Sequence, residues 1–178
     1  MYIIYKKKLL ETERWIQESI YHLLEESDKE FIPPLSSRYS TIQQNFQVQE
    51  DIEGNIREYF ETINSQQILI AIDGNDVIGF MSFRSNYICD VIQENYIPNI
   101  YVSTVVVDKK YRNMGITSKF YKRLINRYKD RNIFTRTWSK NIIHIRILKK
   151  SGFKIIYTKK DDRGVGIDTL YFGKLMNN

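Results

Sequence analysis

The feature that most constrains this chain is a strand-like run that passes through a short loop into a helix. β-branched and aromatic residues dominate positions 100–107, as is typical of a buried central strand. The loop at 108–115 is polar. In 116–128 the bulky residues return at every fourth position, which predicts an amphipathic helix. A strand, a loop and a helix in this order are a building unit of α/β proteins.

The same patterns predict further elements on either side of this unit. Two central helices are expected at 54–64 and 116–128, an earlier one at 11–26, and a last one that starts at Ser139 or Asn141 and ends near Gly152. Pro33-Pro34 opens an irregular stretch that reaches about residue 51. Strands are expected at 2–5, 67–73, 77–84, 100–107, 132–138, 153–158 and 169–172. This order predicts one α/β (α+β) domain with a mixed sheet and helices on both faces.

The composition excludes several classes of protein. The 178 residues include 42% hydrophobic and 27% charged residues, which is the balance of a globular domain and not of a disordered chain. The one cysteine, Cys89, rules out a disulfide framework within the chain and a cysteine-rich zinc site, and we expect no metal. No apolar stretch is long enough for a membrane span, and no signal-peptide pattern follows the first lysines. We therefore expect a cytoplasmic protein with no membrane partner.

The charge is distributed unevenly along the chain. Residues 1–107 hold 8 Lys and Arg against 16 Asp and Glu, whereas residues 108–178 hold 19 against 5. A basic second half indicates a polyanionic partner, either nucleic acid or a phosphorylated cofactor. Solvated helix faces are the alternative explanation.

The start of the helix at 116 has the chemistry of an anion site. The first backbone N–H groups of a helix have no partner within it, and the helix dipole favours a negative charge there. Gly115 lets the backbone approach a phosphate closely, and Arg112, Lys109 and Lys110 add positive charge. The segment therefore predicts a pyrophosphate cradle, although neither GxxxxGK[ST] nor GxGxxG is present.

Two segments together resemble a known family. Val107-x-x-x-Tyr111-Arg112-x-x-Gly115-x-Thr117 is similar to the acetyl-CoA motif of the GNAT superfamily of N-acetyltransferases. The segment from Asn141 to Gly152-Phe153 resembles the second motif of that family, in which an Asn opens a helix that ends in Gly-Phe. The resemblance covers nearly the whole chain and is strongest over 100–154. It implies a single GNAT-like domain, 1–178, with a mostly antiparallel sheet of about seven strands that is split where the cofactor inserts.

The resemblance also implies roles for individual residues. Region 100–154 would be the acetyl-CoA-binding core, and region 1–66 would shape the acceptor side. The backbone of the strand would pair with the pantetheine arm, the amides of the loop and helix would hold the pyrophosphate, and the last helix would contribute one residue at each end. The cofactor-binding residues are then Val105, Val106 and Val107; Arg112, Asn113, Met114, Gly115, Ile116, Thr117 and Ser118; and Asn141 and Lys150.

The chain departs from the family pattern at catalytically important places. Leu148 stands where many members carry a tyrosine that protonates the leaving thiolate, and Ser103 stands where several carry a glutamate base. Thr117 replaces a small Gly or Ala. We expect Ser103 to order a water and the amides around Val105 to polarise the thioester carbonyl. Tyr157 is the candidate substitute proton donor, and a purely structural role in the sheet is the alternative.

Other groups could supply the base. Asp90 and Glu94 are candidates between which the sequence does not decide. His144 is the natural base near neutral pH, although packing in its Ile-rich helix is the more common role for such a histidine. We expect His22 on the surface and Cys89 as a buried thiol. Trp15 and Trp138 are expected in the core, and packing is the default role for the other aromatic residues.

The expected activity is acetyl-CoA-dependent transfer of an acetyl group to an amine by direct attack in a ternary complex. The acceptor is an amine-bearing small molecule or a peptide, and the protein is a monomer or a homodimer. Nucleic acid is not the expected partner. Two other functions remain open: an acetyl-CoA-binding protein with weak catalysis, and a nucleic-acid-binding domain that uses the basic helices at 116–128 and 141–150.

Overall fold

The computed structural model describes residues 1–46 and 54–176. In these ranges the chain forms one seven-stranded sheet and four α-helices, which confirms the expected single α/β domain. The sheet order is β1-β2-β3-β4-β5-β7-β6. The strands are β1 Tyr2–Lys6, β2 Gln67–Asp73, β3 Asp76–Ser85, β4 Asn99–Val107, β5 Asn132–Trp138, β6 Lys154–Lys159 and β7 Thr169–Lys174, and the helices are α1 Arg14–Ser27, α2 Ile56–Asn64, α3 Ile116–Arg127 and α4 Ile142–Lys150.

Contacts divide the chain into two compact units. The first takes its described residues from 1–43, 54–83 and 104–116, and the second from 44–46, 84–103 and 117–176. Strand β4 contributes to both, because its first part belongs to the second unit and its last four residues belong to the first.

The first unit is built on the antiparallel strands β1, β2 and β3. Both faces of β2 are buried, since Ile68, Leu69, Ile70 and Ala71 have no exposed surface. Helix α1 buries one stripe against this core: Ile16, Ile20, Leu23 and Leu24.

The expectation that Trp15 lies in the core is wrong. It is 38% exposed, and its indole Nε1 donates to Glu13 Oε2 at 2.6 Å. The position explains this, because successive residues on a helix are turned by roughly 100°. Trp15 precedes Ile16 and so lies beside the buried stripe, not within it.

The second unit contains the only parallel strand pair that the described sheet records. β4 pairs with β5 in parallel from Asn99↔Asn132 to Val102↔Thr135, and β7 lies antiparallel between β5 and β6. The aromatic core of this unit includes Phe120, Phe134 and Phe172, all without exposed surface. The mixed, mostly antiparallel sheet is therefore as expected.

Element boundaries follow the expected local signals closely. The predicted strands 67–73 and 132–138 agree with β2 and β5. Asn141, not Ser139, caps α4: its Oδ1 accepts from the N–H of His144 at 3.3 Å. Gly152 ends that helix region with a φ of 84°. Part of the irregular stretch expected after Pro33-Pro34 lies outside the described residues.

None of the helices in the described ranges combines the length and the apolar character that a bilayer crossing requires. His22 is exposed and Cys89 is buried, as expected. Trp138 is half-buried, with the Arg163 guanidinium over its ring at 5.8 Å from the centroid.

Candidate functional site

Strand β4 contains one extra residue relative to its neighbour β3. Near one end the N–H of Asn86 donates to the carbonyl of Asn99, and near the other end the N–H of Asp108 donates to the carbonyl of Ile78. Between these two bonds the chain advances eight residues along β3 but nine along β4. Such a mismatch is a β-bulge, which changes the edge of the strand toward which later backbone groups point.

The bulge sets the direction of the backbone in the second half of β4. A Cβ added at Gly79 on β3 would lie 2.8 Å from the carbonyl oxygen of Val106, so this carbonyl points toward β3. The N–H of Asp108 also points toward β3, because it donates to Ile78. Because backbone groups alternate along a strand, those of Val105 and Val107 face the opposite edge. The Val107 carbonyl accepts a hydrogen bond from Arg112 Nε at 3.1 Å.

The loop after β4 is organised by its own backbone and by one carboxylate. Asp108 Oδ1 accepts from the N–H of Lys110 at 2.7 Å and begins a short 3₁₀ turn, Lys109–Tyr111. Asn113 and Gly115 then adopt positive φ values of 63° and 74°. An added Cβ at Gly115 would meet no atom within 4 Å. The loop therefore leads into α3 beside open space, which is the arrangement that a phosphate cradle requires.

The basic side chains of this loop are bound to an acid. Arg112 Nη2 lies 2.8 Å from Glu30 Oε2, and Lys109 Nζ lies 3.3 Å from Glu30 Oε1. Both cations are exposed enough for water to screen these pairs. The arginine thus joins the loop to β4 through Val107 and to the 3₁₀ turn that contains Glu30. No pattern in the sequence links Arg112 to Glu30.

The two residues expected from α4 lie at opposite ends of that helix. Asn141 is the N-cap, and its Oδ1 is used by the helix itself. Lys150 is exposed in the last turn. Leu148 is fully buried and aliphatic, so it has no group that could donate a proton.

His144 does not have the properties of a general base. Its Nε2 is joined to the Tyr121 hydroxyl by a hydrogen bond of 2.8 Å. Although the residue as a whole is partly exposed, burial of the ring lowers the pKa of His144 to about 4. Burial also raises the pKa of Tyr121, which has no exposed surface. The pair is therefore neutral at pH 7 and packs α4 against α3.

The expected catalytic side chains are both accessible. Ser103 is half-buried on β4. From Ser103 onward, half-buried and buried residues alternate along the strand, and Val105 and Val107 are the other half-buried ones. Tyr157 is 48% exposed on β6, where its ring lies 6.0 Å from that of Tyr171. Asp90 and Glu94 are exposed in the connection between β3 and β4.

One group of residues was not expected from the sequence. Arg136 on β5 and Arg163 after β6 lie over the ring of Phe46, with their guanidinium carbons 4.5 and 4.2 Å from its centroid. Phe46 is 1% exposed and Arg163 is 4% exposed. The one available signal was an arginine inside the β-prone run 132–138. Nothing in the sequence links that run to Phe46, 90 positions earlier.

Comparison with known proteins gives one family and a consistent fold. The model of the acetyltransferase (GNAT) family matches residues 18–153. None of the curated proteins compared with the chain matches it. An N-acetyltransferase from Staphylococcus aureus Mu50 is 19% identical, with a TM-score of 0.65, and the alignment covers 99% of this chain and 100% of that one.

Two further solved structures were determined with ligands. The yncA protein of Salmonella typhimurium, solved with its cofactor acetyl-CoA, has a TM-score of 0.67 at 13% identity. The alignment covers 99% of this chain and 95% of the yncA chain. An aminoglycoside 6'-N-acetyltransferase complexed with coenzyme A also has a TM-score of 0.67, at 14% identity, and covers 100% of this chain and 98% of its own. At these identities the likeness establishes the fold.

Proposed function

Because the chain belongs to the GNAT family of acetyltransferases, we propose that it transfers the acetyl group of acetyl-CoA to an amine acceptor by direct attack in a ternary complex. The observation that carries the proposal is the bulged strand β4, which leads through the positive-φ loop into the N-terminus of α3. These are the residues to which the first of the two sequence motifs assigns the cofactor.

The residues present fit acetyl-CoA. A pyrophosphate needs N–H donors and room, and Gly115 provides space that no protein atom within 4 Å of an added Cβ would occupy. A pantetheine arm carries amides that can pair with a strand, and Val105 and Val107 turn their backbone groups away from β3. We propose that the amides of residues 112–118 hold the pyrophosphate, and that Asn141 and Lys150 contact the pantetheine and the 3′-phosphate. When bound, acetyl-CoA supplies the activated acetyl thioester.

The chain's own groups then have three tasks. The N–H of Val105 donates to the thioester carbonyl and polarises it. Ser103 orders a water that accepts the proton of the incoming ammonium group. Tyr157 donates a proton to the leaving sulfur, a role that Leu148 has no group to perform.

An acetyl-CoA-binding protein with weak catalysis is the second candidate. The observation in its favour is Leu148, an aliphatic and fully buried side chain at the position of the family's usual proton donor. Both candidates predict acetyl-CoA binding. They differ in whether thiol is released faster when an amine is present.

The deciding experiment is a screen of amine acceptors with detection of released thiol. We expect saturable release with at least one class of amine, together with tight acetyl-CoA binding by calorimetry. Acetyl-CoA binding without stimulation by any amine would favour the second candidate. Salt-dependent binding of DNA or RNA without coenzyme A affinity would instead favour the nucleic-acid-binding alternative, whose basis is the exposed basic side of α3: Lys119, Lys122, Arg123 and Arg127.

A further inference from the structure

Helices α3 and α4 lie side by side on one face of the sheet. β4 and β5 are parallel, and β5 and β6 are each antiparallel to β7, so the two helical crossovers run in the same direction across the sheet. Crossovers between parallel strands are right-handed, which places both helices on the same face. The 2.8 Å hydrogen bond between the Tyr121 hydroxyl on α3 and His144 Nε2 on α4 agrees with this placement.

The outer side of this helix layer carries cations at a repeated spacing. Each helix has a cation at one position and again three and four positions later, and residues so spaced share one face of a helix. The opposite sides face the interior through Leu124 and Leu148, which have no exposed surface. All six cations are exposed, and we call them the basic surface: Lys119, Lys122 and Arg123 on α3, and Arg146, Lys149 and Lys150 on α4.

The chain does not neutralise the basic surface. Neither Ile116–Arg127 nor Ile142–Lys150 contains an Asp or a Glu. Within residues 1–46 and 54–176, none of the six side chains takes part in an ion pair. Other lysines of the same unit do have acidic partners, since Lys159 pairs with Asp162. The six positive charges therefore remain available to an external anion.

The spacing of these cations acts against the stability of their own helices. Side chains three and four positions apart have Cβ atoms about 5–6 Å from each other, and like charges at that spacing destabilise a helix. Lys119 also lies near the N-terminus of α3, where the helix dipole disfavours a positive charge. Solubility alone is served equally well by charges of alternating sign. A polyanionic partner explains the arrangement, because it would remove the repulsion.

Coenzyme A does not account for this surface. Lys122 and Arg123 follow the start of α3 by six and seven residues, which is roughly 9–10 Å along the helix axis from the proposed pyrophosphate site. The screening length at physiological salt is about 8 Å, so these side chains act only weakly on that phosphate. Among the six, Lys150 alone has a proposed role in binding the cofactor.

The chemistry of the basic surface fits a phosphate backbone better than a protein or a membrane. From position 118 to 127 of α3, no exposed side chain is apolar. On α4, the exposed Ile142 and Ile143 are in the first turn, and the cations occupy the turns after it. Protein interfaces are centred on aromatic and apolar side chains, and helices that insert into membranes need an apolar face. A nucleic acid presents a continuous line of phosphates, which lysine and arginine bind without apolar contacts.

We propose that the basic surface binds the phosphate backbone of a nucleic acid, without reading its sequence, in a protein that also binds acetyl-CoA. The sequence alone did not favour this partner, because it could not show that two separate helices present their cations on one side of the sheet. The inference goes beyond acetyl transfer and does not depend on it. Nucleic-acid binding in a protein that acetylates no amine would remove only the proposed function.

Fluorescence anisotropy tests the proposal directly. Labelled single-stranded RNA and duplex DNA of mixed sequence are titrated with the protein, with and without acetyl-CoA. We expect saturable binding of at least one of them, weakened about 50- to 1,000-fold between about 50 mM and about 200 mM salt, as about four to six phosphate contacts predict. No binding of either nucleic acid at the lower salt concentration would overturn the proposal.

Two double variants connect the binding to the basic surface. Lys122→Gln with Arg123→Gln, and Arg146→Gln with Lys149→Gln, each remove two cations that have no proposed role with acetyl-CoA. Each pair should weaken nucleic-acid binding about 10- to 100-fold at about 100 mM salt and reduce the salt slope by about 2. The acetyl-CoA Kd should not change. Unaltered nucleic-acid affinity in both double variants would refute the assignment.

Lys7→Gln with Lys8→Gln is the matched control. This pair removes the same charge from two exposed lysines of the first unit. Nucleic-acid binding should remain close to that of the wild type, because neither lysine belongs to the basic surface. An equal loss in the control would show that net charge, and not this surface, is responsible.

Two further measurements decide between the remaining explanations. Polyglutamate and phosphatidylserine vesicles represent an acidic protein and an anionic membrane, and tighter binding of either than of nucleic acid at the same salt concentration would overturn the choice of partner. Urea denaturation examines the two double variants of the basic surface. Removing like charges should leave the urea midpoint unchanged or raise it. A lower midpoint would assign these cations a structural role and count against the proposal.

Discussion

The loop after β4 and the stacked pair of Arg163 and Phe46 both carry positive charge, but the loop exposes its cations and the stacked pair buries its cation. In the loop, Arg112 is 39% exposed and ion-paired with Glu30, which is 38% exposed. In the stacked pair, Arg163 is 4% exposed and lies over the ring of Phe46, which is 1% exposed. Water screens the first pair, so its side chains contribute little to binding energy. Burial makes the second charge costly unless it is hydrogen-bonded and compensated, and Arg163 Nε donates to Thr169 Oγ1, which in turn donates to the buried Asp162.

The contrast assigns different physical tasks to the two regions. In the loop the backbone has the proposed binding role, through the helix N-terminus and the positive φ of Gly115. At Arg163 the side chain itself makes the contacts, to Phe46 and to Thr169. Sequence motifs identify the first kind of site more readily than the second, because a backbone turn is encoded by neighbouring residues.

The largest expected effect tests the backbone role of the loop. In Gly115→Asp a side chain must adopt a φ of 74° and places a negative charge in the open space beside the loop. We expect acetyl-CoA affinity to fall about 100-fold or more, which corresponds to ~2.7 kcal/mol. Isothermal titration calorimetry measures this directly.

Gly74→Asp is the matched control for that variant. Gly74 has a φ of 59° in the turn between β2 and β3, and an added Cβ there also meets no atom within 4 Å. The backbone strain is therefore similar, but acetyl-CoA affinity should not change. Equal losses in the two variants would show that strain, not the anion site, is responsible.

Next in size is the effect of removing the buried carboxylate that Thr169 links to Arg163. The side chain of Asp162 is fully buried and pairs with Lys159, which is 41% exposed. In Asp162→Asn the hydrogen bond from Thr169 can remain, but the negative charge is lost next to Arg163. Because Lys159 is partly solvated, we expect a loss of about 2–3 kcal/mol in the free energy of unfolding, at the low end for a buried pair.

Chemical denaturation measures that loss. Asp168→Asn provides the comparison, since Asp168 pairs with Lys160 at 3.1 Å and Lys160 is 79% exposed. An Asp162→Asn protein as stable as the wild type would mean that Asp162 does not stabilise the buried Arg163, and the contrast with the loop would fail.

Local signals predicted most of the fold. The hairpin at Gly74, the buried runs of β2 and β5, and the Asn141 cap are each encoded within a few residues. The loop at 108–115 and the start of α3 at 116 were predicted for the same reason, and their role in binding stays a prediction. The bulge in β4 was not predicted, because it depends on pairing with β3 and leaves no mark in the strand's own composition.

Long-range contacts explain what the sequence did not reveal. Glu30 meets Arg112, and Phe46 meets Arg136, across more than 80 positions in each case. Tyr59 on α2 similarly shares a 2.8 Å hydrogen bond with Thr104 on β4. The error at Trp15 had a different cause. The residue type alone indicated burial, but the position of Trp15 around the helix axis leaves it beside the buried stripe and exposed.

The hydrogen-bonded pair of His144 and Tyr121 shows a third arrangement, in which burial keeps an ionisable side chain neutral. The folded protein lowers the pKa of His144 to about 4, whereas the unfolded chain has the ordinary pKa of 6.5. Between these values the unfolded state binds more protons, so stability falls as pH falls from about 6.5 to 4. The full shift corresponds to about 3 kcal/mol, and partial exposure of the residue reduces the expectation to about 2 kcal/mol.

Urea denaturation at pH 4.5 and pH 7 measures this loss. His144→Gln should flatten the decline over this range, and His22→Gln, an exposed control on α1, should preserve it. A wild-type decline that is unchanged in His144→Gln would assign the pH dependence to other groups.

A variant of Ser103 tests the proposed proton transfer separately from cofactor binding. Ser103→Ala removes a hydroxyl that is proposed to order a water, so we expect kcat to fall about tenfold, at the low end for general-base assistance. The acetyl-CoA Kd should change little, because the cofactor is proposed to pair with backbone groups. Unaltered steady-state kinetics would remove Ser103 from the mechanism.

The smallest expected effect lies in the exposed ion pairs of the loop. Glu30→Gln releases Arg112 and Lys109, yet both pairs are screened, so the free energy of unfolding should change by less than about 1 kcal/mol. Removing an acid from the loop should tighten acetyl-CoA binding slightly, by less than about threefold. Calorimetry at low and high salt separates the charge effect, which salt weakens. A large loss of affinity in Glu30→Gln would mean that the Glu30–Arg112 pair, and not the backbone alone, shapes the cradle.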